Sequence, residues 1–268
     1  MDYFLIAYIY VVVFSAYGIY YGSSAKSWSK RKYTVVLSIV GALILFRLML
    51  NYVPKTELIF KDINLYGYFS FYWLMPPMAL LLTIAYHHMP VSRRSIYLGF
   101  GCLPFVIFLM TVYKSYTYDF KELKSSMPKR SYCMQSTGFT CGPATGATVL
   151  SIFDIDSSEM ELAIKGKTTS LTGMNEFLLK NILNEKFKEK NKKLKAVVKS
   201  YDAITEEDKK NPIIVTIKLN FLTAHWIVQL SENKKRIKCF DPLKGIKFYT
   251  SRKINSIARS HCIVFEKI

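Results

Sequence analysis

The chain is poor in cysteine: five in 268 residues, an odd number and too few to staple a disulfide-dense secreted miniprotein. Acidic residues are scarce as well, 19 Asp and Glu against 37 Lys and Arg. The scarcity is uneven, with three acids and nine bases up to Tyr113, and 16 acids and 28 bases after it. A basic N-terminal segment is missing, since the chain opens Met1-Asp2-Tyr3 and reaches its first lysine at Lys26, so an uncleaved first span is expected in place of a secretory signal peptide. There is no Gly-x-x-x-x-Gly-Lys-Ser/Thr phosphate loop and hence no ATP-binding cassette. No metal-ligand cluster appears either, so no cofactor is expected. Aromatics, by contrast, make up 15% of the chain, too many for a disordered tail protein. A 51% hydrophobic content and a mean hydropathy of +0.15 beside a net charge of +18 do not describe one uniform domain. They predict a membrane part joined to a globular part.

Four apolar runs, Tyr3 to Tyr21, Tyr33 to Val53, Tyr68 to Tyr86 and Ser95 to Tyr113, approach the roughly 20 residues that cross a hydrocarbon core of about 30 Å. Residues 1–113 are therefore expected to form an all-α bundle of four transmembrane helices, with the lipid bilayer as a partner. Tyr20, Tyr21 and Trp28 are placed as interface anchors. Lys26, Lys30, Arg31 and Lys32 after the first run, with Arg93 and Arg94 before the fourth, mark those loops as cytoplasmic under the positive-inside rule. Everything beyond the fourth run then falls outside the cytoplasm, although Lys114, Lys121, Lys124, Lys129 and Arg130 pull the other way. Arg47 is the one full charge inside the runs, and Pro76-Pro77 predicts a kink in the third.

Residues 114–128 read as a polar linker ending at Pro128, with a boundary near residue 125, and residues 129–268 as the globular domain. Cys141 to Phe153 reads as a helix with Pro143 in its first turn. Further helical patterns cover Ser158 to Lys165 and Gly173 to about Lys188. The period then shifts toward two, giving strands over Leu194–Tyr201, Ile213–Leu219, His225–Leu230, Arg236–Phe240, Ile246–Thr250 and Cys262–Phe265. Helices followed by an antiparallel sheet make this half α+β.

The chemistry concentrates in three short stretches. In Cys133-Met-Gln-Ser-Thr-Gly-Phe-Thr-Cys141-Gly-Pro-Ala, a cysteine stands at a helix start, where the roughly half positive charge of the helix end favours thiolate over thiol. Gln135, six residues earlier, can aim its side-chain amide at the same spot as one oxyanion donor, with the Cys141 backbone N–H as the other. His225 lies in the apolar strand Thr223-Ala-His225-Trp-Ile-Val-Gln, and Phe240-Asp241-Pro242 ends the next strand, so a hairpin would bring Asp241 beside the imidazole. Singly, each has a plain reading: an inert buried thiol, a satisfied core histidine, a turn. Gln, Cys, His and Asp in this order, on helix and then sheet, favour catalysis.

The stretches Gln135-Ser-Thr-Gly-Phe-Thr-Cys141-Gly-Pro-Ala, His225-Trp-Ile-Val and Asp241-Pro resemble the bacteriocin-processing family of papain-like cysteine peptidases. These form the N-terminal domains of many peptide-exporting ABC transporters and also occur alone. Leu171-Thr-Gly-Met fits the family's middle region. The resemblance implies Cys141 as nucleophile, His225 as general base and acid, Asp241 as its orienter and Gln135 as oxyanion donor. It implies a peptide or protein substrate, with a Gly-Gly leader as the family's own choice, a peptide exporter or other membrane protein as partner, and a bacterial inner (plasma) membrane as location. Without a cassette, and with four spans placed before the peptidase, the expected function is a membrane-anchored cysteine endopeptidase. Two alternatives remain: a membrane-anchored module that binds peptides without cutting, and an acyl-transfer enzyme (transpeptidase, transglutaminase or deamidase) using the same residues. Nucleic acid is not an expected partner, because the lysines lie on helix ends and turns without an aromatic stacking platform. A disulfide among Cys133, Cys239 and Cys262 is open.

Overall fold

The structure, a computed structural model, describes residues 3–52, 74–92, 94, 105–110, 113, 114, 117, 120, 123, 132–170, 173–218, 224–232 and 236–268. The chain divides into two compact units, and among the described residues the first runs up to Tyr113 and the second from Lys114 to Ile268.

In the first unit α1 (Tyr3–Ser23), α2 (Lys30–Tyr52) and α3 (Met75–His88) are helical. Small residues let α1 and α3 approach closely: a Cβ on Gly18 would stand 3.0 Å from the Pro76 carbonyl oxygen, and one on Gly22 2.9 Å from Thr83 Cβ. Tyr8 and Phe108 meet edge to face at 5.4 Å, with Val11 buried beside them.

The expected bundle of four transmembrane helices is not what this unit forms. Among the described residues no helix is long and apolar enough to cross a membrane. Pro76 and Pro77 lie in the first turn of α3, where a missing N–H costs least, so they open the helix instead of kinking it. The 14 residues of α3 span about 21 Å, short of a hydrocarbon core of about 30 Å. Lys30, Arg31 and Lys32, expected in a loop, are the first residues of α2. In α1, Tyr8, Tyr10, Tyr17, Tyr20 and Tyr21 spread hydroxyls along the helix, while Val12, Val13 and Phe14 are exposed. Most of the fourth run, Cys102 and the side chain of Arg47 lie outside the described residues. The multi-pass plasma-membrane location, with the C-terminal domain outside the cytoplasm, was built on those spans and is overturned with them.

In the second unit the helices come first. α4 (Cys141–Ile152) is buried from Gly142 to Ser151. It approaches its neighbours so closely that a Cβ on Gly146 would lie 2.9 Å from Leu179 Cδ1 and 3.0 Å from Leu162 Cδ1. α5 (Glu159–Lys165) starts at Ser158, whose hydroxyl accepts from the Glu161 N–H at 3.1 Å. α6 (Glu176–Glu189) starts at Asn175, whose side chain accepts from the Leu178 N–H at 2.8 Å. Its buried face carries Phe177, Leu178, Ile182, Leu183 and Phe187.

Six strands follow: β1 (Leu194–Ser200), β2 (Ile213–Lys218), β3 (Ala224–Glu232), β4 (Ile237–Asp241), β5 (Gly245–Tyr249) and β6 (Ala258–Lys267). They form one antiparallel sheet in the order β1-β6-β2-β3-β4-β5. A short helix, α7 (Ser251–Ile257), capped by Thr250, precedes β6 and has no counterpart in the sequence reading. The alternation of β6 shows how the sheet is covered. Phe265 meets Phe187 of α6 and Phe153 edge to face, whereas Val264 packs with Val215, Ile227, Cys239 and Ile254 of α7. With both faces covered, β2 is buried at five of its six residues.

Candidate active site

Cys141 is the first residue of α4, and its backbone N–H is among the four that an α-helix leaves without an internal acceptor. Its thiol is half-buried. The preceding turn is held by its own side chains: the Thr137 N–H donates to Thr140 Oγ1 at 3.2 Å, and Thr140 Oγ1 donates to the Thr137 carbonyl at 3.2 Å. At the other end of this loop the Gln135 N–H donates to the Pro242 carbonyl at 2.9 Å, tying it to the residue after Asp241.

His225 and Asp241 come together through strand pairing. Val228 faces Phe240 and Gln229 faces Cys239 across β3 and β4, so the last residue of β4 arrives near the start of β3. There the Nε2 of His225 and the Oδ1 of Asp241 are 2.7 Å apart, both side chains about 5% exposed. Asp241 Oδ1 also accepts the Leu243 N–H at 2.8 Å. Burial alone would push the Asp241 carboxyl up; the hydrogen bonds from His225 and Leu243 outweigh it and hold it below its ordinary value. Burial pushes the imidazole down, but its hydrogen bonds to Asp241 and to the Cys141 thiol prevail and raise His225 to about 9. A buried carboxylate at 2.7 Å, with the Cys141 thiol nearby, thus favours the charged imidazole.

Gln135 lies in the loop ahead of Cys141, where its Nε2 donates to the Thr137 carbonyl at 2.7 Å and its buried Oε1 has no hydrogen-bond partner. Cys133, Cys141, Cys239 and Cys262 all carry free thiols. Burial pushes the Cys239 and Cys262 thiols up to about 12, which leaves them inert at neutral pH. Among the described residues no group of side chains could hold a metal ion.

Three features of the site had no role in the sequence reading, although Met174 closes the Leu171-Thr-Gly-Met stretch singled out there. Met174 packs on the start of α4, its Cβ 3.2 Å from where a Gly142 Cβ would be. It follows Gly173, which has a φ of +62° that glycine tolerates; Leu171 and Thr172 lie outside the described residues. The Leu243 N–H was invisible because backbone donors leave no mark in a sequence. Glu159, fully buried, accepts the Ser136 N–H at 2.8 Å and the Ser136 hydroxyl at 2.5 Å.

Helices packed on an antiparallel sheet, with a cysteine at a helix start and a His–Asp pair on adjacent strands, make this a papain-like cysteine peptidase. The chain belongs to the Peptidase C39 family, whose model matches residues 129–267. Among solved structures, a double glycine motif protease from an AMS/PCAT transporter, crystallised with its leader peptide, aligns with 21% identity and a TM-score of 0.42 over 52% of this chain and 91% of that one. The peptidase domain of Streptococcus ComA, a bifunctional ABC transporter of a quorum-sensing pathway, aligns with 17% identity and a TM-score of 0.41 over 52% and 100%. That of Streptococcus mutans ComA aligns with 18% identity and a TM-score of 0.34 over 50% and 98%. No curated protein matches the chain.

Proposed function

We propose that the second unit is an endopeptidase that cuts a leader from a peptide substrate after small residues, Gly-Gly being the first choice, with Cys141, His225, Asp241 and Gln135 as its working groups. The single observation that carries this reading is the buried pair of His225 Nε2 and Asp241 Oδ1, 2.7 Å apart, set near the cysteine that opens α4. Nε2 is engaged by Asp241, which leaves Nδ1 for the sulfur.

The thiolate of Cys141 attacks the scissile carbonyl carbon and a C–S bond forms. The carbonyl oxygen becomes an oxyanion, received by the Cys141 N–H and by the Gln135 amide proton not given to Thr137. The C–N bond then breaks as the imidazolium of His225 gives its Nδ1 proton to the departing amine. Water attacks the acyl-enzyme, His225 takes its proton, and the acid product leaves with the thiolate restored. Asp241 keeps the ring oriented through Nε2–H and stabilises its charged form. Met174 against Gly142 narrows the space beside the nucleophile, in keeping with glycine before the cut. A peptide exporter is the partner that such a leader peptidase would serve.

The test uses full-length protein and synthetic leader peptides, read by mass spectrometry. Cleavage after Gly-Gly, its loss when bulky residues replace the glycines, and loss of both cleavage and thiol labelling at position 141 in Cys141→Ala are the expected results. Cleavage that survives in Cys141→Ala overturns the proposal.

A further inference from the structure

The loop that carries Gln135 has an anchor outside the group of residues that does the chemistry. Glu159 is fully buried, and each of its carboxyl oxygens accepts one hydrogen bond from Ser136, the residue next to Gln135. A charged residue type is seldom buried so completely unless something needs it. The fixings around Gln135 fall on either side of it: its own N–H on the Pro242 carbonyl, its Nε2 on the Thr137 carbonyl, and its neighbour Ser136 on Glu159. Pro242 follows Asp241, so the first fixing references the loop to the His–Asp strand pair. Glu159 opens α5, which packs beside α4, so the third references it to the helix that presents Cys141.

We propose that Glu159 is a positioning residue that holds Gln135 where the oxyanion forms. It touches neither substrate nor the reacting atoms and acts through Ser136. This rests on the reading of Gln135 as an oxyanion donor. A donor displaced by an ångström loses much of its effect on the transition state, because its hydrogen bond is aimed at an atom that exists only there.

The test compares Glu159→Leu, Glu159→Gln, Ser136→Ala and Gln135→Ala in the full chain, on a peptide that the wild type cleaves. Each variant is measured for kcat, KM, melting temperature and the rate of Cys141 alkylation by iodoacetamide. In Glu159→Leu we expect kcat to fall about ten- to a hundredfold with KM little changed. Alkylation stays at the wild-type rate, since the thiol–imidazole pair is untouched. Glu159→Gln, which keeps an acceptor for the Ser136 N–H, restores most of kcat. Ser136→Ala, at an exposed position where folding is safe, shows a smaller fall of the same kind and decides the matter if Glu159→Leu does not fold. A folded Glu159→Leu with full kcat overturns the proposal, as does a parallel loss of kcat and alkylation, the mark of a merely structural role. If Gln135→Ala loses kcat and the Glu159 and Ser136 variants do not, only the positioning role is overturned. If Gln135→Ala retains kcat, the oxyanion reading goes and the positioning role with it.

Discussion

His225 shows how two opposed effects are settled by partners. Its ring is almost wholly buried, which disfavours the imidazolium, yet the carboxylate at 2.7 Å and the thiol outweigh burial and carry it to about 9. The charged form of the imidazole therefore persists well above neutrality. Asp241→Asn removes the strongest support for the charged ring. Its expected phenotype is a kcat/KM lower by about a hundredfold or more, with the alkaline limb of the pH profile moved down from about pH 9. An unmoved limb in the folded variant would mean that Asp241 does not set the imidazole. His225 and Asp241 could be paired from sequence because a histidine in an apolar strand needs a partner and the next strand ends on a carboxylate. Glu159 could not, because a carboxylate beside a helix cap reads as a capping residue and its burial appears only once α5 packs.

Among the elements, α4 carries the most consequence for its length. Its sequence, Cys-Gly-Pro-Ala-Thr-Gly-Ala-Thr, is built from small residues that let α5 and α6 come close. Gly146→Val would press new methyls into Leu162 and Leu179, where the Cβ position already lies within 3.0 Å of both. Thermal or urea unfolding should show a destabilisation of about 1–3 kcal/mol, the usual magnitude for overpacking. The boundaries of α4, α5 and the first five strands were legible within two residues, because proline and the change of period mark them locally, whereas β6, read as Cys262–Phe265, runs from Ala258 to Lys267. α7 was not: Ser-Arg-Lys-Ile-Asn-Ser-Ile has one buried side chain, Ile254, and too short a pattern to show a period. The apolar runs before Tyr113 misled for a related reason. Run length records composition, whereas Pro76-Pro77 determines where α3 begins, and only 14 residues remain before Met89 ends it.

Across the second unit, stability depends on groups whose charged forms the fold favours. Asp208, bonded to Lys199 and Thr205, and Asp241 are both held low despite burial, so what they contribute is present above the ordinary carboxylate range and lost as pH falls through it. His225 is raised, so its contribution is complete below about 6.5 and disappears as pH climbs through about 9. The melting temperature of the second unit should therefore be highest in weakly acidic to neutral solution and decline on both sides. In Asp241→Asn the alkaline decline should be blunted, and calorimetry against pH would measure it. The sheet order β1-β6-β2-β3-β4-β5 adds a constraint of timing. Cys141, His225 and Asp241 are all synthesised before β6, yet β1 joins the sheet only through β6 and the helical side of the core needs Phe265. A nascent chain thus carries Cys141, His225 and Asp241 before it has the strand on which both β1 and β2 pair, so a chain ended before Ala258 is expected to cleave no peptide that the full chain cuts.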